Sequence, residues 1–238
     1  MSGLPKIHAL IPAAGRSVRF GGTTLKQYAH LVGVPVISHS IEAVSRHPAV
    51  QSVTVALAPD DGIFDELVKP HWPDIQTVHG GDSRARTVMN GLQAILDLDP
   101  ACEWVLVHDA ARPCLAQADL ARLVEQGTAD PRGAILAVPV RDTLKQADGQ
   151  QHIERTVDRS TLWAAQTPQL FRIVDLATHL QAALDEGTVP TDEAAAMEQA
   201  GSHPRLVEGC STNIKITGAG DLAMAEFSLQ QQAVKQPG

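Results

Sequence analysis

The sequence predicts an α/β protein: a Rossmann-like, mostly parallel sheet flanked by helices. Short apolar runs recur along the chain at 7–11, 52–58, 75–78, 104–107 and 133–140, each suited to a strand covered on both faces. Amphipathic stretches separate them, which is the alternation of a βαβ protein. Several runs also end in small residues, glycines or charged clusters, as expected where ligands meet the carboxyl edge of such a sheet. The 238 residues, 44% of them hydrophobic, suffice for one large domain with a sizeable core. Residues 1–238 are therefore read as a single domain, and 141–158 as an arm projecting from it.

The first run, Ile7 and Ala9 to Ile11, stops at Pro12, which cannot donate to a ladder. Ala13, Ala14 and Gly15 follow, small enough to let backbone N–H groups approach an anionic or planar ligand. Arg16, Arg19 and Lys26 then place three cations in one segment around Gly21, Gly22, Thr23 and Thr24. The loop is neither a Walker A motif, lacking G-K-[ST], nor the G-x-G-x-x-G of a dinucleotide fold. Read without further context, it is equally an ordinary strand-to-helix turn with surface cations.

Val34 to Val44 is expected as a helix with Pro35 near its start, and Ser52 to Ala58 as the next strand. A right-handed crossover between them places the first loop at the carboxyl edge of the sheet. Ile75 to Val78 leads to Gly80, Gly81 and Asp82, then to a helix over Ser83 to Leu96, for which Asp82 is a candidate N-cap. Trp104 to Val107 runs into His108, Asp109, Ala110, Ala111, Arg112 and Pro113. A carboxylate and a guanidinium at a strand end are costly to bury unpaired. Either they satisfy each other as an ion pair, or Asp109 takes a hard cation such as Mg²⁺ and Arg112 faces a second anion.

Ala118 to Gln126 is expected as a helix and Gly133 to Val140 as a strand. From Arg141 to Asp158 the chain turns polar and alternating, with Asp148 and Gly149 as the turn of a β-hairpin. Such a hairpin has too little apolar surface to stand alone. Ile173 to Leu184 reads as a helix closed by Gly187, and Pro190 to Glu193 starts another, its acids explained by a favourable first turn. Leu206–Val207 and Asn213 to Ile216 are expected strands, the latter turning Lys215 outward to solvent. Asp221 to Gln232 closes the chain as a helix, with Asp221 and Glu226 as surface acids.

Composition narrows the partners. Aromatic residues are only 3%, so no stacking platform for single-stranded nucleic acid is evident. A formal net charge of −8 opposes binding to nucleic acid or anionic membranes. Cys102, Cys114 and Cys210 lack C-x-x-C spacing and are odd in number, against a disulfide framework or zinc site. With no run of 18 apolar residues and no signal-like N-terminus, the expectation is a soluble, cytoplasmic protein.

The motifs P-A-A-G, L-K-Q-Y, G-G-D, H-D-A-A-R-P, V-R-D-T, T-V-D-R, T-P-Q, T-D-E-A and N-I-K-I-T together resemble the 2-C-methyl-D-erythritol 4-phosphate cytidylyltransferase family of the non-mevalonate isoprenoid pathway, over nearly the whole chain. The resemblance implies a nucleotidyltransferase fold and in-line attack of the acceptor phosphate on the α-phosphorus of CTP, with release of pyrophosphate. It implies that Arg19 and Lys26 stabilise the transition state, and that Arg159 and Lys215 grip the acceptor phosphate with Arg112, Thr143 and Thr191. Ala13, Ala14, Gly15, Gly81, Asp82, Thr87 and Ala110 would frame the cytidine and ribose, and Asp109 would hold Mg²⁺ or another divalent cation. The 141–158 arm would make a homodimer, so the implied partners are CTP, a polyol phosphate and a second copy of the chain, with no nucleic acid or membrane. The chain departs from the family pattern at Ser17, Val18 and Arg86, the last adding positive charge near the nucleotide pocket. Two other readings compete: a cytidylyltransferase acting on ribitol 5-phosphate, and a nucleotide-binding regulator without catalysis.

Overall fold

The computed structural model describes residues 4–16 and 25–235. Among these, seven strands form one sheet: β1 (Ile7–Pro12), β4 (Val50–Leu57), β5 (Gln76–His79), β6 (Trp104–Val107), β7 (Ala134–Pro139), β10 (Trp163–Arg172) and β11 (Arg205–Glu208). Their spatial order is β11-β7-β10-β6-β1-β4-β5. Every neighbouring pair is parallel except those made by β10, which runs antiparallel to both β6 and β7. Two short ribbons lie outside this sheet. One pairs β2 (His30–Leu31) with β3 (Val34–Pro35), the other β8 (Leu144–Ala147) with β9 (Ile153–Val157).

Alternation along the strands divides the core between the two faces of the sheet. Ile7, Ala9 and Ile11 of β1 join Ile37, Ile41 and Val44 of α1 (Val36–Ser45), Phe64 of α2 (Ile63–Leu67), and Leu120 and Leu123 of α4 (Gln117–Thr128). Leu10 points the other way, toward Val88, Leu92 and Ile95 of α3 (Arg84–Leu98). On that face α5 (Ile173–Asp185) contributes Ile173, Leu176 and Leu180, and α6 (Glu193–Gln199) contributes Ala194, Ala196 and Met197. Each large side chain so buried stabilises the fold by about 1.5–3 kcal/mol. Ala225 of α7 (Ala219–Lys235) packs with Ile216 on Ala29, Leu31, Val36 and Ala111.

Several elements differ from the sequence expectation. The helix foreseen from Val34 starts at Val36, because Val32 (φ 49°) and Gly33 (φ 85°) turn the chain into the β2–β3 ribbon and Pro35 becomes the helix cap. Two consecutive positive φ values mark a tight hairpin turn, for which Gly33 was the available signal. Ser83, and not Asp82, caps α3, its side chain accepting from the backbone N–H of Arg86. The 8–9 hairpin turns over residues 148–152: Asp148 accepts from the N–H groups of Gln150 and His152, and the positive φ falls at Gln151 rather than at Gly149. Asn213 to Ile216 is not a strand. That segment is held by Asn213, whose amide donates to Thr167 O, and by Ile216 N–H donating to Ala111 O.

Candidate active site

The carboxyl ends of β1, β4, β5 and β6 meet at one cavity of about 440 Å³. The P-A-A-G loop forms one wall. Ala13 N–H donates to Ala56 O, fixing the loop to β4, and the buried Gln27 donates from its amide to Ala13 O at 3.1 Å. The single 3₁₀ turn Lys26–Tyr28 thus explains three letters of L-K-Q-Y. Lys26 lines the cavity, Gln27 straps the loop, and the Tyr28 hydroxyl donates to Asp61 at 2.6 Å.

The G-G-D turn forms the opposite wall. Gly80 N–H donates to Leu57 O, and a Cβ on Gly80 would stand 2.5 Å from Ala14 Cβ, so the two loops approach closely only because residue 80 has no side chain. Thr87 Oγ1 accepts from Gly81 N–H and donates to Ser83 O, which spends its hydroxyl on holding the turn. Arg86 packs its stem against Gly81, and it is Arg84 that enters the cavity.

The floor is a charge cluster centred on Asp109. Its carboxylate lies 3.2 Å from Arg84 Nη2, 2.7 Å from Lys215 Nζ and 3.8 Å from Arg112 Nε. Burial alone raises a carboxyl pKa, but Arg84, then Lys215 and Arg112, outweigh it and hold Asp109 well below the usual carboxylate range. Arg84 is also gripped from the far side: Nη1 lies 2.6 Å from Glu193 Oε1, and Nη2 lies 3.0 Å from Oε2. Glu193 is 2% exposed, so the acid read from sequence as a favourable first-turn residue is a buried counter-charge. Removing one partner of such a pair costs about 3–5 kcal/mol. Burial lowers the Lys26 pKa, and Lys215 nearby lowers it further.

Behind the floor, Asp109 N–H donates to Thr167 Oγ1, and Thr167 Oγ1 lies 3.0 Å from His108 Nδ1. The other ring nitrogen, Nε2, meets Arg112 O at 3.0 Å. A carbonyl only accepts, so Nε2 carries the proton and the threonine hydroxyl donates to Nδ1. Burial drives His108 down to about 4 and keeps it neutral.

Of the residues singled out from sequence, Ala13, Ala14, Gly15, Lys26, Gly81, Asp82, Thr87, Asp109, Ala110 and Lys215 all line this cavity. Arg112 stands just behind it, donating to Asn213 O at 2.7 Å. Thr143, Arg159 and Thr191 are exposed and lie outside the lining. Arg19, with Ser17 and Val18, lies outside the described residues. Sequence reasoning passed over Gln27 and Arg84, read Glu193 as a first-turn acid, and read Lys215 from its own alternation as solvent-facing; Lys215 is instead turned onto Asp109.

The chain whose sheet edge gathers this strapped small-residue loop, glycine turn and cation cluster is matched over residues 7–231 by the family model described as 2-C-methyl-D-erythritol 4-phosphate cytidylyltransferase. The chain belongs to this family. A protein of that name from Vibrio vulnificus is 46% identical over 224 residues, 94% of each chain. Another, from Yersinia pseudotuberculosis, is 49% identical over 96% of this chain and 94% of its own. Among solved structures, a 4-diphosphocytidyl-2C-methyl-D-erythritol synthase is 41% identical with a TM-score of 0.83, covering 94% of this chain and 99% of the other. The family's enzyme from Thermus thermophilus aligns with a TM-score of 0.78 at 29% identity, with the same coverage of 94% and 99%. The chain is accordingly a nucleotidyltransferase of the isoprenoid pathway. Among the described residues, no helix is long and apolar enough to cross a membrane.

Proposed function

We propose that this cavity transfers the cytidylyl group of CTP to 2-C-methyl-D-erythritol 4-phosphate, releasing pyrophosphate and forming 4-diphosphocytidyl-2-C-methyl-D-erythritol. The observation that carries the reading is the convergence of Lys26, Arg84 and Lys215 on one cavity whose walls are the two small-residue loops. Joining two polyanions is mainly a matter of positioning and charge neutralisation, and needs no protein nucleophile. In this reading Ala13, Ala14, Gly15, Gly81, Asp82 and Ala110 receive the nucleoside, with Thr87 keeping the turn in shape. Lys26 faces the charge that grows on the α-phosphate and on the leaving pyrophosphate, and the family resemblance gives Arg19 a share in stabilising it. Lys215 orients the acceptor phosphate, assisted by Arg159, Thr143, Arg112 and Thr191. Arg159 and Thr143 reach it from the arm of a second subunit.

A divalent cation, Mg²⁺ in this reading, fits the donor chemistry of the floor. Asp109 is an ionised oxygen donor facing the cavity, the type of ligand Mg²⁺ shares with substrate phosphates. Among the described residues no group of three or more His, Cys, Asp or Glu side chains could hold a metal ion, so the remaining ligands would be phosphate oxygens and water. When bound, the cation would neutralise phosphate charge.

The test is a pyrophosphate-release assay crossing four nucleoside triphosphates with 2-C-methyl-D-erythritol 4-phosphate and ribitol 5-phosphate. Release with CTP and the methylerythritol phosphate is expected. Release with ribitol 5-phosphate alone would reassign the acceptor, and none with any pair would leave a nucleotide-binding regulator.

A further inference from the structure

Asp109 cannot serve a divalent cation and Arg84 equally well. Arg84 Nη2 sits 3.2 Å from Asp109 Oδ1, on the carboxylate that the reading above assigns to the metal. An unopposed guanidinium there would repel a dication and occupy its oxygen. The guanidinium is not unopposed, because both of its terminal nitrogens are held by Glu193, at 2.6 and 3.0 Å. Glu193 comes from α6, which packs on α5, and it stands behind the cavity, holding the lining residue Arg84 from the far side. A fully buried carboxylate at the start of a helix whose cap is already Asp192 is not there for capping.

We propose that Glu193 is a positioning residue for the metal: by holding the Arg84 guanidinium in a two-point contact, it weakens the hold of Arg84 on Asp109 and so sets how tightly Asp109 takes a divalent cation. The inference rests on the reading of Asp109 as the metal ligand. Its signature has two opposite signs. Loss of the Glu193 charge leaves the full positive charge of Arg84 beside Asp109, which weakens metal binding. The same added positive charge favours metal-free CTP, a polyanion. A purely structural tie would loosen both ligands together.

Two binding measurements made without acceptor, so that no turnover occurs, separate these cases. Free Mn²⁺ is followed by electron paramagnetic resonance in the presence of CTP, and CTP binding in excess chelator is followed by calorimetry. Glu193→Gln should weaken Mn²⁺ by about tenfold, within the usual span of coupling between sites, while binding metal-free CTP at least as tightly as the parent. In the Arg84→Gln, Glu193→Gln double variant, which buries no unpaired charge from this pair, Mn²⁺ affinity should return to the parent value or exceed it. Unchanged Mn²⁺ affinity in the single variant, or weakening of both ligands, overturns the proposal. Should the single variant fail to fold, weak Mn²⁺ binding by the double variant overturns it equally. Asp109→Asn is the control on the underlying reading: if it binds Mn²⁺ like the parent, the metal is not on Asp109 and both fall. If it loses Mn²⁺ while Glu193→Gln does not, only the role of Glu193 fails.

Discussion

Lys26, half-buried, and His108, fully buried, are basic groups with opposite tasks, and two predictions separate them. Lys26 faces the cavity, so its charge is best used where charge develops during transfer. Lys26→Ala is expected to lower kcat by about a hundredfold or more, the usual cost of removing one preorganised stabilising group. The KM for CTP should change far less, and an unaltered kcat in steady-state kinetics would remove Lys26 from the chemistry. His108 acts on stability. Its folded pKa is depressed to about 4 by burial, against the usual 6.5, so it contributes stability that is present above pH 6.5 and lost as pH falls toward 4. Between pH 7 and 5 this amounts to about 2 kcal/mol, which urea unfolding of the parent should show and His108→Gln should not. Asp109, also depressed, loses its contribution only below the ordinary carboxylate range, so the two windows separate. Much of this floor was legible: a strand ending in H-D-A-A-R-P announces buried charge that needs partners. Which partners was not legible. Arg84 and Glu193 are 109 positions apart and meet only because α3 and α6 pack on the same face of the sheet.

At the scale of elements, the cavity depends on two loops meeting across β1 and β4. Gly80 is the point of nearest approach, with Ala14 and Thr87 in the space a side chain would need. Gly80→Ala must push the G-G-D turn away from the P-A-A-G loop or displace Thr87 from Gly81. Overpacking of this kind costs about 1–3 kcal/mol. The expected outcome is a folded protein whose affinity for CTP falls by about tenfold, since the distortion is confined to the nucleotide walls. Calorimetric titration checks it, and parent-like affinity would show that the loops part without consequence for the nucleotide. The strands that build this edge were readable from apolar runs to within two or three residues. Less readable was the stretch Trp163 to Arg172, whose buried residues Gln166, Thr167 and Gln169 break an apolar pattern because their side chains serve Cys210 O, His108 and Asp192. The N-I-K-I-T segment misled in the opposite sense. Its alternation resembles a strand, yet among the described residues no strand pairs with it, and hydrogen bonds from Asn213 and Ile216 hold it in place.

For the molecule as a whole, the β8–β9 hairpin stands apart from the main sheet. It leaves the sheet after β7 and returns at β10, and its pairing runs from Leu144 opposite Val157 to Ala147 opposite Ile153. Ile153 is 67% exposed, and the cross-strand contacts, such as Lys145 to Thr156 and Arg155 to Gln146, are between polar groups in solvent. A two-stranded ribbon is marginal without a partner to pack on. Thr143 and Arg159 flank its base, outside the cavity lining, although the function proposed above assigns both to the acceptor phosphate. A dimer in which each arm reaches across a two-fold axis reconciles these observations, because the residues missing from one cavity are then supplied by the other chain. The contact would be isologous, the same patch on both copies. The prediction is complementation in trans. Lys26→Ala chains and Arg159→Ala chains, each inactive alone, are mixed, dissociated and reassociated. In a mixed dimer one of the two sites combines an intact Lys26 with an intact Arg159, restoring up to about half the activity of a parent dimer. Random pairing makes about half of all dimers mixed, so recovery approaches roughly a quarter of the parent signal. No recovery, with mixed dimers demonstrated by native mass spectrometry of differently tagged chains, would mean that each site is completed within its own chain.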